Sequence, residues 1–445
     1  MTSATVRRFL LGAFVVGLGF SITLSETALA LLTLLWLWRL RDPEVRRAQV
    51  WPLWAPVLAF SVVSVISALA SGHAAHGLLA SKGLLLAATL FVTADALPGS
   101  HAADRFLSAL AVVSAGAALV GLVQVGLCPG PEPVDWWPRF IYHHCERARG
   151  LFSIYMTLAG ILTIVVLAML PRVMPGRGFR PASVLLWLTA LAGLIATFTR
   201  GAWLGLAAGA AAVLPAFRRR GWIALGALAL IFVGLLAMPS EIRLRFLTLN
   251  ELRHRILTMT DLHQAGLQER RYMWESGLAM WRERPLLGWG PGGVKREYER
   301  FARPEAFKKR TGHVHNTPLQ ILVERGLLGF TAWLLIWVVF YARAIGRLWR
   351  LDVSLIRERA LVVGSLAAVT GFLVGGLSEY NFGDSEVVMV AWAVMALPYV
   401  VARGMESRAP AFVPGKTGDV SPSPAKGEQV IAREATDLAG SAPCP

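Results

Sequence analysis

Apolar residues fill this chain in long runs, and short polar connections separate the runs from one end to the other. A helix that crosses a membrane needs about 20 apolar residues, fewer at the short end. On that ruler the pattern predicts roughly twelve spans, at 8–23, 26–39, 52–70, 77–97, 105–127, 150–170, 182–198, 201–217, 222–238, 318–342, 358–377 and 386–403. Ser21, Ser25 and Glu26 alone divide the first pair. That pair reads as a retained hairpin, because its apolar stretch continues through Leu40 and is too long for a cleaved signal peptide. The fold class expected is all-α and polytopic, with an integral membrane domain over 1–403. The tail, 404–445, is rich in Pro, Ser, Gly and Ala and is expected to be disordered and cytoplasmic.

Composition agrees. The chain is 55% hydrophobic and only 16% charged, against roughly 25% charged in an ordinary soluble domain. Its mean hydropathy is +0.53. Many of its 16 tryptophans, among them Trp36, Trp38, Trp51, Trp54, Trp136, Trp137 and Trp289, lie at the ends of apolar runs, where an amphipathic ring suits headgroup depth. The net charge of +16 does not read as nucleic-acid binding, since the arginines punctuate spans rather than forming one basic domain. Cys128 and Cys145 share one loop and are read equally as a disulfide or as two free thiols; Cys444 lies in the tail.

Charge also orients the spans. With the N-terminus inside, the cytoplasmic connections hold Arg39, Arg41, Arg46 and Arg47, then Arg105, then Arg172, Arg177 and Arg180, then Arg218 to Arg220, then Arg343, Arg347 and Arg350. That bias fits both termini in the cytoplasm. Three segments then face the other side: 128–149, the long loop at about 239–317, and "SEYNFGDSE" at 378–386. A loop as long as the second is usually functional. Its stretch "ERRYMWESGLAMWRERPLLGWGPGG" has helical spacing and a Gly-Pro-Gly-Gly stop, which predicts short helices on the membrane surface.

Chemistry concentrates on that face. Arg200 separates two apolar runs, and a charge there is expensive unless it is paired or faces a polar cavity; the bland reading is an arginine snorkelling to the interface. The long loop is net basic, which suits a phosphate-bearing ligand. Arg270 and Arg271, flanked by aromatics in "ERRYMW", are its best-ordered candidates. In "GHVHNTPLQ", Pro318 marks a helix start with Asn316 or Thr317 as cap. His315 then stands at a helix N-terminus, where the dipole disfavours imidazolium and attracts anions. Periodicity assigns His315 equally to a general base and to a capping residue. His313 alternates with it, so an extended segment puts both on one side, as half of a metal site that no nearby ligand completes. Glu379, Asp384 and Glu386 are expected on one face of the last loop, orienting a hydroxyl, pairing the arginines, or forming a solvated turn.

Four stretches in order, "RARGLFSIYMTLAG" at 147–160, "TFTRGAWL" at 197–204, "RRYMWESGLAMWRERPLLGWGPGG" at 270–293 and "GHVHNTPLQILVERGLLG" at 312–329, together resemble the O-antigen ligase family of lipid-linked-glycan ligases and polymerases. The resemblance implies a twelve-span inverting glycosyltransferase in the bacterial inner membrane, working on the periplasmic face without metal or cofactor. Its donor would be a glycan on undecaprenyl pyrophosphate and its acceptor a sugar of the lipid A core. It implies His315 as the essential histidine and Arg200 and Arg270 (or the neighbouring Arg271) as the donor pyrophosphate's ligands. His313, Asn316, Glu379 and Asp384 support them. An O-antigen polymerase or a protein-glycosylating ligase shares this donor chemistry. A lipid-linked-glycan transporter predicts instead paired charges within the spans and symmetry between halves, and the sequence shows neither.

Overall fold

A computed structural model describes residues 3–127, 147–174, 181–213 and 265–406. The expected span at 222–238, the arginines at 177, 180, 218–220, 243, 245, 253 and 255, all three cysteines and the tail from 407 lie outside the described residues.

Every regular element among the described residues is helical. A hairpin of α1 (Ser3–Phe20) and α2 (Ile22–Arg39) opens the chain, followed by the short α3 (Pro43–Ala48) and α4 (Trp54–Ala70). Helices α5 (Ala74–Ala80) and α6 (Ala88–Ala96) come next, then α7 (Ser100–Gly126), α8 (Tyr155–Val173), α9 (Pro181–Ala196) and α10 (Arg200–Val213). The loop region supplies α11 (Ala265–Glu283) and α12 (Gly293–Glu297). The C-terminal helices are α13 (Thr317–Arg350), α14 (Ile356–Gly375) and α15 (Ser385–Glu406).

By length and apolarity, 7 helical stretches among the described residues can cross a membrane: α2, α5 to α6 as one stretch, α7, α8, α13, α14 and α15 up to Met405. Helices α4 and α9 are apolar but shorter. The core forms around α8, α14 and α15, whose most apolar windows are 78%, 78% and 83% buried, whereas that of α2 is 28% buried.

Three local devices shape the end that carries the chemistry. First, the expected rod at 77–97 is broken by a 3₁₀ stretch, Ser81–Ala87. Ser81 donates back to the Gly77 carbonyl at 2.8 Å, and Gly77 lies so close to α4 that a Cβ would stand 2.9 Å from the Ala68 Cβ. Tighter winding inside a helix is often found at functional hinges. Second, Gly201, Gly205 and Gly209 make a stripe along α10. A Cβ on Gly205 would stand 2.5 Å from the Gly371 carbonyl oxygen of α14. Small residues at every fourth position allow this approach, which fixes the start of α10 beside the end of α14.

Third, α13 is not continuous. Gly326 takes φ 64° and ψ −168°, a conformation open to glycine alone. The segment after α11 closes against the break and satisfies its backbone. Leu327 N–H donates to the Pro285 carbonyl at 2.8 Å, Leu328 N–H to Leu286 at 3.2 Å, and Trp289 N–H to Val323 at 3.0 Å.

Candidate active site

The polar start of α13 is tied to the loop that follows α14. Asn316 is the N-cap: its side-chain oxygen accepts from Leu319 N–H at 2.8 Å while its amide donates to the Leu377 carbonyl at 2.9 Å. Thr317 N–H donates to the Gly376 carbonyl at 2.7 Å. The Thr317 hydroxyl reaches the Glu379 carbonyl at 2.9 Å and Asn381 Oδ1 at 3.0 Å. These ties lay Glu379 against the histidine: Glu379 Oε2 lies 3.0 Å from His315 Nδ1. The other carboxylate oxygen accepts from Arg270 of α11. A carboxylate only accepts, so His315 Nδ1 carries a proton, and in the neutral ring the lone pair is on Nε2.

The arginine doublet is resolved by helix geometry. Arg270 and Trp274 lie four residues apart on one face of α11. Trp274 Nε1–H donates to the Val314 carbonyl at 3.0 Å, so this face meets the 313–315 segment. Arg271 points away; its side chain is 76% exposed and pairs with Glu275 at 2.9 Å. Arg200 begins α10, and a Cβ on the next residue, Gly201, would stand 1.8 Å from Ser378 Oγ. The helix that carries Arg200 therefore abuts the loop that carries Glu379. Thr199, just before it, shares with Glu379 and Asn381 the lining of a void of about 30 Å³, room for about one water.

His315 holds φ at 50°, so the segment is not simply extended as the alternation of the two histidines suggests. Its neighbour Val314 is held on both sides, its N–H donating to Gln320 Oε1 at 2.9 Å and its carbonyl accepting from Trp274. The two imidazoles nonetheless meet edge to face, with centroids 4.3 Å apart, and His313 lies 5.8 Å from the Tyr380 ring. Burial, then the neighbouring His315, push His313 down to about 4, so it is a neutral neighbour at ordinary pH. Burial alone pushes the Glu379 carboxyl up, but the His315 hydrogen bond and the Arg270 guanidinium overrule it and hold Glu379 below its ordinary value. Among the described residues no group of three His, Cys, Asp or Glu side chains is placed to hold a metal ion.

The acidic loop does not present one face, contrary to expectation. Asp384 turns from Glu379 to the start of α8, where it accepts from Thr157 Oγ1 at 2.5 Å, and it caps α15 by accepting from Val387 N–H at 3.2 Å. Burial pushes its carboxyl up. The reason is chain direction: Asp384 lies just before α15, and α15 packs on α8.

A second polar system departs from the sequence expectation of no paired charges within spans. Glu324 and Arg325 of α13 are buried and paired at 3.0 Å. Glu324 Oε1 accepts from Gly292 N–H and from Gln320 Nε2, both at 2.9 Å, and Arg325 Nε donates to Ser64 of α4 at 3.0 Å. Gln320 thus joins this pair to the backbone between the two histidines. Asn316 and Gln320, four apart at a helix start, were the available signal. Beside the pair lies a cavity of about 240 Å³, lined by Lys295, Arg325 and Tyr380 on its polar side and by Phe60, Leu84 and Trp392 on its apolar side.

The sequence model of a family described as O-antigen ligase matches residues 184–334. That segment, from α9 into α13, holds Arg200, Arg270, Arg271, His313, His315 and Asn316 and stops short of Glu379. No curated protein matches the chain.

Proposed function

We propose, from the match of residues 184–334 to the O-antigen ligase family model, that this chain is a twelve-span inverting glycosyltransferase of that family in the bacterial inner membrane. Its active site faces the periplasm. It moves a glycan from undecaprenyl pyrophosphate to a sugar hydroxyl of the lipid A core. The observation that carries this reading is the His315–Glu379–Arg270 cluster at the polar start of α13.

The geometry supports a single in-line displacement. His315 Nε2 takes the proton of the acceptor hydroxyl as that oxygen bonds to the anomeric carbon. Glu379 holds the ring through Nδ1 and stabilises the imidazolium that forms, as an orienting carboxylate does in a catalytic triad. The bond from the anomeric carbon to the phosphate oxygen breaks with inversion. Undecaprenyl pyrophosphate leaves with the bonding pair, and Arg200, with the free N–H groups of Arg270, meets the charge that develops. No step calls on a metal or cofactor. The mixed cavity beside Tyr380 suits an amphiphile whose head is anionic and whose tail is apolar.

A polymerase of the same family uses the same donor and differs only in its acceptor. Surface polysaccharide from a deletion strain separates the two. Lost attachment with intact lipid-linked polymer is the result expected for a ligase. Products that stop at a single repeat indicate the polymerase.

A further inference from the structure

Two guanidiniums converge on one carboxylate, with a third beside them, at the opposite end of α15 from the His315 loop. Asp95, in the last turn of α6, accepts through one oxygen from Arg7 of α1 at 3.0 Å and from Arg39 of α2 at 2.5 Å. Arg7 also donates to the Asp95 backbone carbonyl at 3.2 Å. Arg403, near the end of α15, donates to the Leu97 carbonyl and lies within electrostatic range of Asp95, Arg7 and Arg39. At about 1.5 Å per residue, Arg403 stands roughly 27 Å along α15 from Ser385, so this cluster and the candidate active site occupy opposite ends of the bundle.

The cluster is not neutral. Three guanidiniums against one carboxylate leave two positive charges. Neighbouring carboxylates are committed elsewhere: Asp104 pairs with Arg172 at 2.5 Å, and Glu358 accepts from Ser100 Oγ at 2.6 Å. Donors are also in surplus. Each guanidinium offers about five N–H groups, yet the four bonds just named are all that these three arginines make to described residues. Arg7 Nε is enclosed with no acceptor among them. The arginines are partly covered, with 22% and 19% of the Arg7 and Arg39 side chains exposed, and so are not ordinary solvated rim charges. A tetrahedral phosphate matches this need, since guanidinium binds its oxygens bidentately and a half-desolvated site strengthens the bond.

We propose that Arg7, Arg39 and Arg403 form a binding site for a phosphate group at the membrane rim remote from His315. The chemistry is shared by an anionic phospholipid headgroup and by a free phosphate ion. The proposal stands on this cluster alone and not on the glycosyl-transfer reading.

The test is thermal unfolding of the full-length protein in nanodiscs of phosphatidylcholine, with phosphatidylglycerol or inorganic phosphate added in separate arms. Phosphatidylglycerol is expected to raise the midpoint. Arg403→Gln, which leaves both Asp95 ion pairs in place, should shrink that rise by at least about twofold. The double variant Arg46→Gln/Arg47→Gln, on the exposed face of α3, should keep it. A rise with lipid alone identifies a headgroup, and a rise with both additives, each lost in Arg403→Gln, identifies a general phosphate site. If Arg403→Gln and Arg7→Gln keep the full rise, or the α3 variant loses as much as they do, the proposal is overturned.

Discussion

His315 holds a left-handed backbone conformation that a residue with a side chain adopts at a cost of roughly 1–3 kcal/mol. The surroundings impose it: Gln320 and Trp274 clamp Val314, and Asn316 caps α13 immediately after. Glu379 then fixes the ring. Arg270→Gln is expected to lower transfer by about 10²-fold or more, the scale of losing one charge-stabilising donor, whereas Arg271→Gln stays near wild type. Initial rates of the two purified variants decide this, and equal losses would put the doublet's assignment aside. His313 gives a pH signature. Its folded value of about 4 lies below the ordinary 6.5, so on acidification the unfolded chain takes up a proton that the folded chain refuses. His313 therefore erodes stability as pH falls from about 6.5 to about 4 and has no such effect above that window. In His313→Gln, melting midpoints over that range should depend less on pH than in the wild type. The sequence placed His315 at the helix start but left base and cap equal. What it lacked was Glu379, 64 residues away, because chain distance hides a partner that folding supplies.

Hydrophobic pattern located most helices within a few residues at the scale of single elements, because apolar runs of span length have few alternatives in a membrane. It missed the interruptions. The run through Ser81–Ala87 is apolar on both sides, and the two charged residues just before Gly326 are too few to end a helical run, so periodicity reads straight across both. It also divided the loop into short helices where α11 runs for 19 residues. A Cβ on Gly326 would stand 2.2 Å from the Leu286 carbonyl, in a backbone conformation closed to alanine. Gly326→Ala is therefore expected to destabilise by about 1–3 kcal/mol or more. Gly205→Ala, at the α10–α14 contact, is expected to lose a comparable amount by overpacking. Thermal unfolding in nanodiscs measures both. An unchanged midpoint in Gly326→Ala would contradict the break in α13.

The helical unit, Met1–Glu406, carries its polar groups at two ends. Histidines, Glu379 and Arg270 gather where α13 and α15 begin, while Asp95 with its three arginines and the Asp104–Arg172 pair gather where α6, α8 and α15 end. Charge bias along the sequence made this polarity legible, because arginine counts in short connections need no tertiary information. The buried Glu324–Arg325 pair was not legible, since its partners come from α4 and the Gly292 turn. With Cys128, Cys145 and Cys444 replaced by serine, Lys308→Cys should react with an impermeant thiol reagent from the periplasm and Trp349→Cys should not. The reverse pattern would invert the orientation. The central claim meets its most direct test in transfer by purified protein, supplied with undecaprenyl-pyrophosphate-linked glycan and lipid A core. Wild type should form the joined product without added metal, and His315→Ala, with an unchanged melting midpoint, should form none. Full turnover by folded His315→Ala would contradict the account.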